Sequence, residues 1–181
     1  MSFIHDLVKL DELSAKTEEG KRLYQTPQGQ SYPSVTTVTG ILSKDDIQAW
    51  RIRVGEEKAD QITRAATSRG NKVHKLAELY LKNELFSQST LFDEPKTNNY
   101  KMFEALSSVL DNKVGVIRAI EAPLYSDVLR VGGRVDLIAE WDNELAVIDF
   151  KTSSKPKKEH WIDNYFMQSS AYAFMFEELT K

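Results

Sequence analysis

The sequence contains no cysteine, and it has no apolar run that approaches the roughly 18 residues of a membrane-spanning helix. The first absence excludes disulfide bonds, thiolate zinc sites and cysteine nucleophiles. Acidic residues at Asp6, Asp11 and Glu12 stand where a secretory or organelle-targeting peptide would be apolar or basic. We therefore expect a cytoplasmic protein that does not associate with membranes.

An excess of one charge is also absent. The 24 basic and 27 acidic residues leave a formal net charge of −3, too small to keep the chain unfolded by self-repulsion. Apolar residues make up 41% of the 181 residues, which is enough for the core of one ordinary domain. The net charge of a weakly acidic chain does not favour binding to nucleic acid, but it does not exclude a local basic surface that binds one.

The spacing of apolar residues predicts helices in the first part of the chain and strands in the second. Ser34 and Ser43 are candidate helix caps, Gly55 is a candidate helix stop, and Gly70 could divide a long helical region in two. The predicted helices cover about 34–42, 43–55, 56–83, 98–111 and 160–179, with a loop over 86–97. The predicted strands cover 117–124, 128–131, 134–141 and 145–151, and a short hairpin turns at Thr26–Gln30.

This order predicts an α/β fold in which a mixed central sheet, built as an antiparallel meander, is flanked by helices. We expect a single domain over residues 1–181, with a helical part over about 34–112, a sheet core over about 116–151 and a closing helix over about 160–180.

Two carboxylates meet in the predicted hairpin. A two-residue turn at Asp142-Asn143 places Asp136 opposite Asp149, with their Cβ atoms about 5 Å apart, and Lys151 points to the same side as Asp149. Carboxylates that are forced together bind a proton or a cation. Oxygen ligands favour Mg²⁺ or Mn²⁺, which bind phosphate oxygens and activate water. The alternative is a solvated strand end with an ordinary Asp/Lys pair.

Two further pairs lie one helical turn apart. His74 and Glu78 share a helix face, a spacing that suits a ligand and its orienting partner, or a plain surface pair. Gln168 and Tyr172 share a face of the closing helix, which could be no more than a half-buried surface. Basic residues that could bind phosphate, or form solvated charge runs, are Arg69, Lys72, Lys75, Lys155, Lys157 and Lys158.

In order and spacing, these segments resemble the RecB-like branch of the PD-(D/E)xK nuclease superfamily. The resemblance is carried by His74, Gly133-Arg-Val-Asp136, Ile148-Asp-Phe-Lys151 and Gln168-Ser-Ser-Ala-Tyr172. Within that branch, the chain is similar to the mitochondrial genome maintenance exonucleases and their phage-encoded relatives. The segments that carry this similarity are Tyr32-Pro-Ser-Val-Thr-Thr-Val38, a helix containing Trp50, and Thr67-Ser-Arg-Gly-Asn-Lys-Val-His74.

The resemblance implies a restriction-endonuclease-like core and a metal-dependent DNA exonuclease that acts on single strands in replication, recombination or degradation. It also implies Mg²⁺ or Mn²⁺ as cofactor, DNA as partner and, for a phage-encoded protein, the host cytoplasm as location. Residue by residue, it assigns metal binding to His74, Asp136 and Asp149, with the Phe150 carbonyl as an addition. It assigns catalysis to Lys151, Asp149 and Asp136, and contacts with nucleic acid to Arg69, Gln168 and Tyr172.

Glu121, at the end of an earlier strand, could add an acidic group near the metal, and Glu78 competes for that role. Three other functions remain open: a duplex or structure-specific endonuclease of the same superfamily, a catalytically silent DNA-binding module, and a plain α/β domain. Family members usually continue past the helix that carries Gln168 and Tyr172, so a chain that stops at Lys181 could be truncated.

Overall fold

The computed structural model describes residues 2–85, 97–155, 157–159 and 162–181. The strands in this part are β1 (Ile4–His5), β2 (Ser14–Glu18), β3 (Lys21–Gln25), β4 (Ser31–Pro33), β5 (Val114–Ser126), β6 (Val131–Trp141) and β7 (Glu144–Ile148). The helices are α1 (Val35–Thr39), α2 (Lys44–Val54), α3 (Glu56–Leu81), α4 (Asn98–Lys113) and α5 (Asp163–Thr180). The predicted α/β class is confirmed.

The chain divides into two compact units. The first comprises Met1–Leu7, Glu57–Ile120 and Asp136–Lys155, and the second comprises Val8–Glu56, Glu121–Val135 and Pro156–Lys181. The division passes through β5 and β6, so each of these long strands contributes to both units. The single domain expected from the sequence stays a prediction.

The main sheet has four strands in the order β1-β5-β6-β7. β1 is parallel to β5 and β7 is antiparallel to β6, so the expected mixed sheet is confirmed. In the first unit, α3 and α4 cover it with apolar side chains: Ala77, Leu81 and Leu110 pack with Ile117, Leu137 and Ala139. β1 was not predicted, because two residues, one of them the largely exposed Ile4, carry no alternating pattern.

The β6–β7 hairpin has the predicted register. Leu137 pairs with Ile148, and Trp141 pairs with Glu144. Asp142 and Asn143 have φ angles of 52° and 70°, as a two-residue type I′ turn requires. The ladder ends at the pair of Leu137 and Ile148, however, so the prediction that β7 reaches Lys151 was wrong. The separate strand predicted over 128–131 was also wrong, because residues 127–130 form a turn.

Local signals placed most helix ends correctly. The Ser34 hydroxyl accepts a hydrogen bond of 3.0 Å from the Thr37 N–H and caps α1, and Gly55, with φ of 88°, ends α2. Ser43 precedes α2 but makes no side-chain cap hydrogen bond. Gly70 does not interrupt α3. A glycine inside a helix costs only about 1 kcal/mol relative to alanine, which the packing of the buried side of α3 can offset.

Two predicted segments fall partly outside the described residues. These are the loop over 86–97, of which only Thr97 is described, and the first two residues of the closing helix. Thr97 caps α4 through its hydroxyl.

The second unit contains a three-stranded antiparallel sheet in the order β2-β3-β4. Tyr24 pairs with Tyr32, which confirms the predicted hairpin. β2 was not predicted, because its five residues are all exposed and give no alternation. A small core of Leu13, Tyr24 and Tyr125 lies in this unit, and α1 packs against α5. Among the described helices, none is long and apolar enough to cross a membrane.

Candidate active site

Three elements of the first unit bring the central residues together. α3 carries His74, β6 carries Asp136, and the segment that follows β7 carries Asp149, Phe150 and Lys151. Because this segment leaves the β ladder, the Phe150 N–H is available to a side chain, and it donates a hydrogen bond of 2.6 Å to Oδ2 of the buried Asp136. A carboxylate of β6 therefore takes the place of a ladder partner and is held in one orientation.

His74 joins the same segment from the other side. Its Nε2 lies 2.7 Å from the Phe150 carbonyl oxygen, and since a carbonyl can only accept, Nε2–H is the donor. Nδ1 then faces Asp136, 3.5 Å from Oδ1. The imidazole ring also meets the Phe150 ring edge-on, with centroids 6.0 Å apart. The backbone of Phe150 thus orients both His74 and Asp136.

Asp149 and Lys151 form an ion pair. The Asp149 side chain is only 7% exposed, whereas that of Lys151 is 34% exposed. Burial raises the pKa of Asp149, and the charge of Asp136 adds to this effect, against the lowering influence of Lys151 and His74. The net upward direction therefore comes first from burial, and a cation bound beside the two carboxylates would oppose it.

Two side chains of the first unit could hold a metal ion. The Nδ1 atom of His74 lies 3.5 Å from the Oδ1 atom of Asp136, and an imidazole and a carboxylate are suitable donors for a divalent ion. Glu121, the acidic residue expected at the end of an earlier strand, belongs to the second unit. Its place near the metal stays a prediction.

A backbone feature marks Glu121. Its φ angle is 47°, in the left-handed region that residues other than glycine rarely adopt. Such a kink in a strand redirects the side chain and is typical of functional positions. The signal for it in the sequence is an acidic residue just before Ala122-Pro123 in a strand of mostly apolar residues.

The competing acidic residue, Glu78, is engaged elsewhere. It forms ion pairs with Lys75 at 2.9 Å and with Lys82 at 2.7 Å. Burial acts to raise the pKa of Glu78, but the hydrogen bonds from Lys82 and Lys75 outweigh it, so the pKa is lowered. Lys75, expected as a phosphate partner, is therefore committed to Glu78.

Arg69 lies half-buried on α3, five residues before His74. Its Nε is buried, and within the described part of the chain it has no hydrogen-bond partner. Nothing in the structure assigns it a ligand, and its contact with phosphate stays a prediction.

Gln168 and Tyr172 contact each other in the second unit. Gln168 Nε2 donates a hydrogen bond of 3.2 Å to the Tyr172 hydroxyl, and both side chains are buried. The Tyr172 ring packs against Gly133 so closely that a Cβ there would lie 2.5 Å from Cε1. The pair thus supports the beginning of β6, and its role toward nucleic acid stays a prediction.

Comparison with known proteins gives a consistent result. The sequence model of the PD-(D/E)XK nuclease superfamily matches residues 47–181. The chain is similar to mitochondrial genome maintenance exonuclease 1 of Homo sapiens, with 32% identity over 135 residues, or 69% of this chain and 38% of that protein. For the Mus musculus protein the identity is 28% over 138 residues, or 72% and 39% of the two chains. The chain thus spans less than two fifths of the length of these curated relatives.

The superfamily match covers most of the chain and includes every residue that the resemblance assigned to the site. PD-(D/E)XK nucleases use divalent metals, in agreement with the donors grouped around His74 and Asp136. The fold and the matched region together establish that this chain belongs to the PD-(D/E)XK nuclease superfamily.

Proposed function

We propose that this protein is a divalent-metal-dependent exonuclease that hydrolyses phosphodiester bonds of single-stranded DNA during replication, recombination or degradation of DNA. The observation that carries the proposal is the arrangement of His74, Asp136, Asp149 and Lys151 around Phe150 in a chain of a nuclease superfamily. The exonuclease activity is supported by the similarity to mitochondrial genome maintenance exonuclease 1.

In this proposal, His74, Asp136 and Asp149 hold Mg²⁺ or Mn²⁺. The ion would polarise the phosphodiester and lower the pKa of a bound water. The Phe150 N–H keeps the Asp136 carboxylate turned toward the site, and the Phe150 carbonyl holds the His74 ring with Nδ1 facing that carboxylate.

Lys151 is the proposed catalytic lysine. Its amine is paired with Asp149 and remains partly exposed to solvent, so it can reach both the carboxylate and a substrate. It would position the attacking water, or offset the negative charge that develops on the phosphoryl oxygens.

Arg69, Gln168 and Tyr172 are proposed to serve the nucleic acid. Arg69 would donate to a phosphate oxygen through its guanidinium group. The Gln168–Tyr172 pair would act through the backbone of β6 that it supports.

The test is digestion of 5′-labelled linear single-stranded, duplex and circular single-stranded DNA in Mg²⁺, Mn²⁺ or EDTA. Lys151→Ala is compared with Lys101→Ala, which removes an exposed lysine from α4. We expect metal-dependent loss of linear single strands by the wild type and Lys101→Ala, and none by Lys151→Ala, although that variant still binds DNA.

Each other outcome supports a different function. Cleavage of the circular substrate would show that the protein is an endonuclease and not an exonuclease. Salt-sensitive binding without products, from folded protein, would leave a binding module. Equal cleavage by Lys151→Ala would remove the proposed mechanism. The cytoplasm remains the proposed location, which fractionation of the source cells or infected host would test.

A further inference from the structure

A cleft of about 460 Å³ lies in the first unit beside the candidate catalytic pair. One part of its lining is apolar and comes from α3, α4 and the β6–β7 hairpin, including Met102, Leu106 and Trp141. The other part is the segment from Asp149 to Ser153. The cleft and the Asp149–Lys151 ion pair therefore share residues, and the mechanism proposed above makes no use of the apolar part.

We infer that this cleft binds the base of a nucleotide adjacent to the bond that is cut, an inference that rests on the proposed nuclease function. A phosphate bound at Lys151 is covalently linked to its nucleoside, and this concave surface is lined by both Asp149 and Lys151. The volume falls within the roughly 300–1,000 Å³ of ordinary ligand sites.

The chemistry of the lining fits a nucleobase. Met102, Leu106 and Trp141 are only half-buried, so apolar surface is left for a planar ring, and an aromatic side chain is a stacking partner for any base. Thr152 and Ser153 add hydroxyl groups, each of which can donate to or accept from a base edge. A lining of this kind binds bases without strong preference among them.

Binding of a base in this cleft would give the proposed preference for single strands a physical reason. A base inside a duplex is stacked and paired, and it reaches a side cleft only after both interactions are broken. An unpaired strand presents its bases without that penalty. The cleft would therefore select single-stranded DNA through the base beside the scissile phosphate.

The test fills the cleft without removing a core residue. Ala105 is an exposed residue of α4 that lines the cleft, and Ser108 is an exposed residue of the same helix that is not among the described lining residues. Ala105→Phe is compared with Ser108→Phe and the wild type, after circular dichroism and thermal unfolding have shown that all are folded. The substrates are single-stranded oligonucleotides with and without one abasic site at each position in turn.

We expect the wild type and Ser108→Phe to cut next to an abasic site roughly fivefold or more slowly than next to a base. Ala105→Phe should cut the normal strand slowly and show no further loss at the abasic site. Equal rates for both substrates in the wild type would overturn the inference while leaving the nuclease function intact.

A binding measurement covers the case in which the nuclease function itself fails. In EDTA, the affinity for a normal oligonucleotide is compared with that for a fully abasic strand of the same length. A preference for bases that Ala105→Phe removes and Ser108→Phe retains would support the cleft, even if no metal-dependent product forms. No preference in the wild type would overturn it.

Discussion

The backbone N–H of Phe150 donates a 2.6 Å hydrogen bond to the side chain of Asp136, at the point where the β6–β7 ladder ends. The carboxylate thus performs two tasks: it closes the end of the sheet, and it faces His74. Substitutions that separate these tasks test the site directly.

Asp136→Asn keeps an oxygen that can accept from Phe150, but it removes the charge that a metal needs. We expect it to abolish cleavage with a small change in stability. Asp136→Ala leaves the Phe150 N–H without a partner and should lower the free energy of unfolding by about 1.5–3 kcal/mol. Urea unfolding and the cleavage assay measure the two effects. Equal stability of the two variants would contradict a structural role for the bond.

Asp149→Asn should stabilise the metal-free protein at neutral pH. Burial raises the pKa of Asp149, so the folded state favours the protonated form, and this contribution to stability is lost as pH rises through the raised pKa. The asparagine side chain carries no charge at any pH, so the variant avoids this loss of stability. We expect its melting temperature in EDTA to exceed that of the wild type at pH 7. The shift should be about 2–4 °C for each kcal/mol gained in the free energy of unfolding.

The difference between Asp149→Asn and the wild type should shrink as pH falls and disappear below about pH 3, where the wild-type carboxyl is protonated in both the folded and the unfolded state. Added Mg²⁺ should raise the melting temperature of the wild type more than that of the variant. A variant less stable than the wild type at pH 7 in EDTA would show that the Lys151 ion pair outweighs burial.

Tyr80 should make stability depend on alkaline pH. Burial, together with a 2.6 Å hydrogen bond to Asp111, raises the pKa of Tyr80 to about 12, whereas tyrosine in the unfolded chain ionises near pH 10. The contribution is full below about pH 10 and is lost as pH rises toward 12. Tyr80→Phe should lower the free energy of unfolding at pH 7 by about 1 kcal/mol. It should also reduce the loss of stability between about pH 10 and pH 12.

Asp111→Asn is the matched variant for Tyr80. It keeps an acceptor for the Tyr80 hydroxyl but removes the negative charge, so the pKa of Tyr80 should fall below that of the wild type. Absorbance of the tyrosinate during titration measures this shift. An unchanged titration curve would contradict the pairing with Asp111.

Two glycines should respond to alanine in opposite directions. At Gly70, inside α3, a Cβ meets its nearest neighbour at 3.7 Å, so Gly70→Ala should stabilise the helix by about 0.5–1 kcal/mol. At Gly133 a Cβ would lie 2.5 Å from the Tyr172 ring, and Gly133→Ala should destabilise by about 1–3 kcal/mol. Thermal unfolding of both variants measures the two changes in stability. If Gly133→Ala stabilised the protein, the Tyr172 ring would have to be able to move aside.

Features that depend on neighbouring residues could be predicted. The Ser34 cap, the Gly55 stop and the register set by Asp142-Asn143 each follow from a few residues whose backbone preferences and hydrogen bonds act locally. The same register brought Asp136, Asp149 and Lys151 to one region, and the family followed from that combination.

Features that depend on packing between distant parts of the chain could not be predicted from the sequence. Gly70 is a local signal for a break, and the buried side of α3 overrides it. β1 consists of two residues that pair with β5 across more than a hundred positions, and no local pattern announces such a contact. The left-handed backbone conformation of Glu121 is likewise a feature that composition does not indicate.

The sequence by itself determined the fold class, the hairpin register and the set of chemically capable residues, because side-chain type and spacing specify these over short distances. Only the tertiary structure decided that β7 ends at Ile148, that Phe150 orients both His74 and Asp136, and that an apolar cleft lies beside Lys151. These features arise where segments far apart in the chain compete for the same hydrogen bonds and the same space, and that competition is settled only in the folded protein.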